Sequence, residues 1–132
     1  MIKQIDHIGI AVKDLDQQMK FYSDVLGLKC SGIEEVADQK VTVAMFPIGE
    51  VRIELLQPTA QDSPVAKFLE KKGEGIHHIA YLVNDLEGNL KRIEEKQVQL
   101  IDSKATVGAG GHKIAFLHPK ATFGVLTELC EH

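Results

Sequence analysis

A nine-residue phrase occurs twice in this chain, 71 positions apart. Asp6-His7-Ile8-Gly9-Ile10-Ala11-Val12-Lys13-Asp14 returns as His77-His78-Ile79-Ala80-Tyr81-Leu82-Val83-Asn84-Asp85. His7 falls on His78, Ile8 on Ile79, Gly9 on Ala80, Val12 on Val83 and Asp14 on Asp85. Each copy is an apolar run opened by a histidine and closed by an aspartate. A helix-like stretch follows each. With 132 residues there is room for about two such units, so the chain reads as a duplicated module.

The duplication has a second half. Arg52-Ile53-Glu54-Leu55-Leu56 and Val125-Leu126-Thr127-Glu128-Leu129 are apolar runs that each hold a carboxylate. Glu54 follows His7 by 47 residues and Glu128 follows His78 by 50. A lone strand histidine is more often structural than a ligand. Adjacent strand residues face opposite ways, so only one of His77 and His78 can point inward, and the repeat selects His78. Two modules related by a pseudo-twofold would pool two imidazoles and two carboxylates. That is a suitable donor set for a first-row divalent metal.

Taken in order, residues 3–12 form a strand, and Asp14 caps a helix whose apolar stripe is Leu15, Met19, Tyr22 and Leu26. Gly27 ends that helix. Residues 28–36, 41–46 and 51–56 are strands, with a turn at 47–50. Ser63-Pro64 starts a linker helix that Gly73 and Gly75 stop. The second module repeats the order: a strand over 76–83, a helix capped by Asp85 with Leu86, Leu90 and Ile93 on one side, then strands over 99–104, 113–118 and 125–130. The expectation is an α+β fold of two tandem βαβββ modules, forming a curved mixed sheet around a metal cleft. It is one domain over 1–132, with module one at about 1–58, the linker helix at about 59–74 and module two at about 75–132.

Composition narrows the function. The net charge of −4 argues against a nucleic-acid partner, which calls for a basic surplus. No apolar run approaches the roughly 20 residues that span a bilayer, and the N-terminal residues lack the apolar core of a signal peptide, so no membrane partner is expected. Cys30 and Cys130 are far apart and read as reduced thiols of a cytoplasmic protein. His112 and His118 sit in or beside second-module loops. Gly108, Gly110 and Gly111 lack the following Lys-Ser/Thr of a phosphate cradle, which favours a mobile loop. If the loop lines a ligand instead, the backbone N–H groups of Gly110 and Gly111, with Lys113, would meet an anion.

These residues resemble the vicinal oxygen chelate superfamily, and within it the methylmalonyl-CoA epimerases. Asp6-His7-Ile8-Gly9-Ile10-Ala11-Val12, Ile53-Glu54-Leu55-Leu56-Gln57-Pro58 and Ser63-Pro64-Val65-Ala66-Lys67-Phe68-Leu69 carry the likeness in the first half. In the second half it is carried by Gly75-Ile76-His77-His78-Ile79-Ala80, by Gly110 through Lys120 and by Gly124-Val125-Leu126-Thr127-Glu128-Leu129. The turn His118-Pro119-Lys120 looks like the epimerases; glyoxalase I tends to have an Asp-Pro-Asp-Gly-like turn there.

The resemblance implies His7, Glu54, His78 and Glu128 as ligands of a divalent metal, cobalt ahead of manganese, nickel or zinc. It implies an acyl-CoA substrate, a homodimer, and an epimerisation through α-proton removal and a metal-stabilised enolate. Glu128 corresponds to the family's ligand that also acts as a base. A second base precedes a Gln-Gly-Val-like stretch in relatives. Asp38, ahead of Gln39-Lys40-Val41, stands there with one methylene fewer; a solvated turn aspartate is the competing reading. Glyoxalase I is the rival enzyme, and a non-catalytic binding protein of the same fold the rival class. A ring-cleaving iron dioxygenase fits less well, because such sites keep two histidines and one carboxylate.

Overall fold

Asp14 and Asp85, the last residues of the two repeats, do the same local job. Each holds an extended backbone and turns its carboxylate back on the helix it precedes. Asp14 accepts from the Gln17 N–H at 3.2 Å and Asp85 from the Gly88 N–H at 3.0 Å. Such caps satisfy N–H groups that have no partner in a helix's first turn. A Cβ at Gly88 would meet the Asp85 carboxylate where it now lies, so that side chain would have to shift; the first cap forms over Gln17 at the same position.

The computed structural model describes residues 1–132. The elements are β1 (Ile2–Ala11), α1 (Leu15–Lys20), β2 (Gly32–Val36), β3 (Val41–Ile48), β4 (Val51–Pro58), α2 (Pro64–Lys72), β5 (Gly75–Val83), α3 (Leu86–Glu95), β6 (Thr106–Val107), β7 (Lys113–Leu117) and β8 (Thr127–Glu131). The α+β class and the doubled βαβββ order are borne out. The chain divides into two compact units, residues 7–77 and residues 1–6 with 78–132.

In the first unit the strands lie in the order β2-β3-β4-β1. β2, β3 and β4 are antiparallel neighbours, and β1 runs parallel to β4. A parallel pair needs a long crossover, which α1 and the intervening strands provide. The face turned to α1 holds Ile10, Val12, Ala44, Phe46, Ile53 and Leu55, packed with Leu15, Met19 and Tyr22. Ser63 caps α2 by accepting from the Val65 N–H at 3.2 Å, with Pro64 opening the helix and Gly73 closing it at φ 77°.

The second unit repeats the arrangement, with strand order β5-β8-β7-β6 and β5 parallel to β8. Val83, Ala115, Leu117 and Leu129 pack beneath Leu86 and Leu90 of α3. The Leu86 N–H adds a tie to Glu131 Oε1 at 2.8 Å.

Three local expectations are revised. The first helix is α-helical only to Lys20; Phe21–Val25 is a π-helical turn, closed by a Leu26 N–H bond to Phe21 O at 3.1 Å. The wider turn shifts the phase of the stripe, so Leu26 points to solvent while Leu15, Met19 and Tyr22 stay in the core. The strand expected from residue 28 pairs only from Gly32, because Leu28 and Cys30 pack into the core on the way. The strand expected at 99–104 is reduced to a single bridge, Leu100 to Leu117, and β6 lies at Thr106–Val107. Asp102 explains this: its carboxylate takes the Phe116 N–H at 2.9 Å, on the edge a longer strand would use. No helix is long and apolar enough to cross a membrane.

Candidate active site

Strand register decides which side chains share a face. In the first unit Gly9 pairs with Glu54 across the parallel β1–β4 ladder, and His7 pairs with Arg52. The period of two puts His7, Gly9, Arg52 and Glu54 together on the face away from α1. His7 Nδ1 lies 3.5 Å from Glu54 Oε2. Both residues are buried, at 6% and 3% exposure. Arg52 Nη2 reaches the same oxygen at 3.0 Å and its Nε at 3.3 Å, so the carboxylate is paired with a guanidinium.

The second unit builds the same pair. Ala80 stands against Glu128 as Gly9 stands against Glu54. His78 Nε2 lies 3.1 Å from Glu128 Oε1, and the two residues are 4% and 3% exposed. Phe116 of β7, directly opposite Glu128, sets the edge of its ring against His78 with centroids 5.5 Å apart. Met45 holds the matching place opposite Glu54. An imidazole beside a carboxylate, both out of water, appears once in each unit.

A buried carboxylate is costly unless paired, and paired carboxylates next to imidazoles are what divalent metals draw upon. Each pair contributes one nitrogen and one oxygen donor. One imidazole nitrogen and one carboxylate oxygen in each unit is donor chemistry that fits a first-row divalent ion.

The other candidates lie elsewhere. Asp38 is exposed in a 3₁₀ turn, Ala37–Gln39, between β2 and β3. Lys113 pairs with Glu131, which puts it on the face opposite Glu128, and its Nζ is 3.9 Å from Glu87 Oε1. The glycine segment is built as a 3₁₀ turn, Ala109–Gly111. The Gly111 N–H is committed to Gly108 O at 3.1 Å, and the Gly108 N–H to His112 O at 2.9 Å. Gly110 is exposed, with φ 74°. His77 faces α2, edge-on to Phe68 at 5.1 Å, and the His118 Nδ1 accepts from the Lys120 N–H at 3.1 Å.

A family profile for the glyoxalase/bleomycin resistance protein/dioxygenase superfamily matches residues 6–116. A solved methylmalonyl-CoA epimerase, in complex with methylmalonyl-CoA and ammonium, superposes with a TM-score of 0.96 at 40% identity, covering 99% of this chain and 95% of that one. The chain belongs to the methylmalonyl-CoA epimerase family of that superfamily. This places it among isomerases. An ethylmalonyl-CoA/methylmalonyl-CoA epimerase from Cereibacter sphaeroides is 38% identical over 98% of both chains. YqjC of Bacillus subtilis, an uncharacterised protein, is 51% identical over 98% of this chain and 93% of its own length. The paired βαβββ fold expected from the repeat is therefore the glyoxalase-like fold of the family.

Arg52 and Phe116 are the site neighbours that the repeat does not announce, since neither has a like residue in the other module. The signal for Arg52 was the alternation Arg52-x-Glu54, which puts both on one face.

Proposed function

We propose that this epimerase-family protein interconverts the (2R) and (2S) forms of methylmalonyl-CoA. The observation that carries the reading is the pair of buried His–Glu contacts at equivalent registers, in a chain whose family relatives act on this substrate by name. His7, Glu54, His78 and Glu128 are the proposed ligands of one divalent ion, cobalt ahead of manganese, nickel or zinc. When bound, the ion would supply Lewis-acid stabilisation for negative charge that develops on the substrate's oxygens.

The remaining chemistry belongs to the chain. Glu128 receives the proton from the carbon α to the thioester. It is suited to this because its carboxylate is buried and within reach of one imidazole, whereas Glu54 is engaged by a guanidinium. Inversion requires that a proton return to the opposite face of the same carbon. Asp38 is proposed as that second group, on the family correspondence alone. A small residue, Gly9 or Ala80, stands across the ladder from each carboxylate. A cytoplasmic homodimer is the expected working form, again on family grounds.

The reading is tested by supplying one epimer of methylmalonyl-CoA and following its conversion to an equal mixture by chiral separation. A glutathione hemithioacetal is the parallel substrate. Epimer conversion with no turnover of the hemithioacetal supports the proposal. The reverse result replaces it with a glyoxalase reaction.

A further inference from the structure

The segment that joins β7 to β8, residues 118–126, lies wholly in the unit formed by residues 1–6 and 78–132. It leaves and re-enters the sheet beside the His78–Glu128 pair. Phe116, whose ring meets His78, is two residues before it, and Glu128 is two residues after it. Leu126 O accepts from the N–H of Ile79, the neighbour of His78, at 3.2 Å.

The segment is tied together by its own hydrogen bonds. The Gly124 N–H donates to Pro119 O at 2.7 Å, the Ala121 N–H to His118 O at 2.9 Å and the Lys120 N–H to His118 Nδ1 at 3.1 Å. The Thr122 hydroxyl donates to Val125 O, and the Thr127 hydroxyl reaches the same oxygen at 2.9 Å. Inside this frame Phe123 is 98% exposed and holds φ 59°. Neither feature serves the fold. A bulky side chain at positive φ is strained where glycine is not, and an aromatic ring in water forgoes its burial. Strain held in place by the surrounding structure clusters at ligand clamps and active sites. Residues 118–126 also carry the exposed Lys120 and no carboxylate, in a chain of net charge −4.

An acyl-CoA that brings its thioester to the His78–Glu128 pair has a long arm, phosphates and an adenine still to place. Every nucleobase offers a π-face to an aromatic side chain, and a phosphate favours a nearby ammonium. We propose, on the acyl-CoA reading above, that Phe123 stacks on the adenine of the substrate's coenzyme A and that Lys120 pairs with its phosphates. The hydrogen-bonded frame holds the ring outward before the ligand arrives, so little freedom is lost on binding.

Titration calorimetry with coenzyme A and with pantetheine, which lacks the adenosine and its phosphates, tests this without turnover. Wild type should bind coenzyme A more tightly than pantetheine. Phe123→Ala should weaken coenzyme A binding by roughly 5–100-fold and leave pantetheine binding as it was, and Phe123→Tyr should restore the loss. Lys120→Ala should weaken coenzyme A binding and lessen its dependence on salt. Phe123→Gly should melt no lower than wild type, yet bind coenzyme A as weakly as Phe123→Ala, which a structural role for the ring would not produce. A wild type with no preference for coenzyme A over pantetheine overturns the proposal. So does unchanged coenzyme A affinity in Phe123→Ala or Lys120→Ala; a Phe123→Ala protein that changes its mass in light scattering instead makes a second copy of this chain the partner of the ring. If these binding differences hold while epimer conversion fails, the assigned reaction falls and the nucleotide contact stands.

Discussion

Arg52 Nη2 lies 3.0 Å from Glu54 Oε2, while the position two residues before Glu128 is Leu126. The duplicated pairs are therefore alike in register and unlike in charge. In the first unit a guanidinium shares the carboxylate with the imidazole; Arg52 Nη2 also comes within 3.5 Å of His7 Nδ1. A cation arriving at Glu54 must compete with Arg52.

Arg52→Leu should separate the two effects of that guanidinium. Without metal, the variant should melt lower than wild type, because a buried carboxylate loses its strongest partner, a change of about 1–3 kcal/mol. With saturating cobalt or manganese, its rise in Tm should exceed that of wild type, because the competitor is gone. Thermal melts with and without metal check this. A smaller metal-induced rise in the variant would show that Arg52 helps the ion bind.

Replacing Glu128 by Gln keeps the shape and removes the base. The exchange rate should fall by roughly 10²–10⁴-fold, the usual worth of a positioned acid–base group. His78→Ala should instead abolish metal retention, read by elemental analysis after dialysis. A fully metallated His78→Ala protein would remove His78 from the ligand set.

Asp38→Asn should slow epimerisation and leave bound metal unchanged. Its exposed place in the turn between β2 and β3 means that stability should not move either. An unchanged rate would make Asp38 a solvated turn residue.

Much of this was legible beforehand because the repeat is written in side chains that strand register cannot disguise. His7 and His78, Gly9 and Ala80, Glu54 and Glu128 keep their relation in sequence and on the ladder. The helix caps at Asp14, Ser63 and Asp85 were readable because each is a local contact. Contacts set by distant residues were not. The turn at Phe21–Val25 and the displacement of β6 by Asp102 depend on packing and on one side chain's reach across to β7. The glycine segment looked mobile by composition, yet two backbone bonds close it into a turn. Lys113 drew notice for its charge, and only the β7–β8 register shows that it lies on the α3 side.

The Lys40–Asp62 ion pair gives a pH test of surface electrostatics. The Lys40 hydrogen bond and charge hold the Asp62 carboxyl below its usual 3.8. A group depressed on folding contributes stability above its unfolded value and loses it as pH falls through the folded value. Asp62→Asn should therefore be slightly less stable than wild type at neutral pH, with the gap closing in acid below pH 3.8. The pair is solvent-exposed, so the difference should be small and should shrink with added salt. A gap that widened in acid would contradict this assignment.

The central claim is that this chain removes and returns the proton at the carbon α to a thioester. Proton NMR of methylmalonyl-CoA in D₂O, with the protein and cobalt, reads that event directly. The account predicts loss of the α-proton signal that depends on both metal and Glu128. An α-proton signal that persists in the presence of cobalt, manganese, nickel or zinc would contradict it.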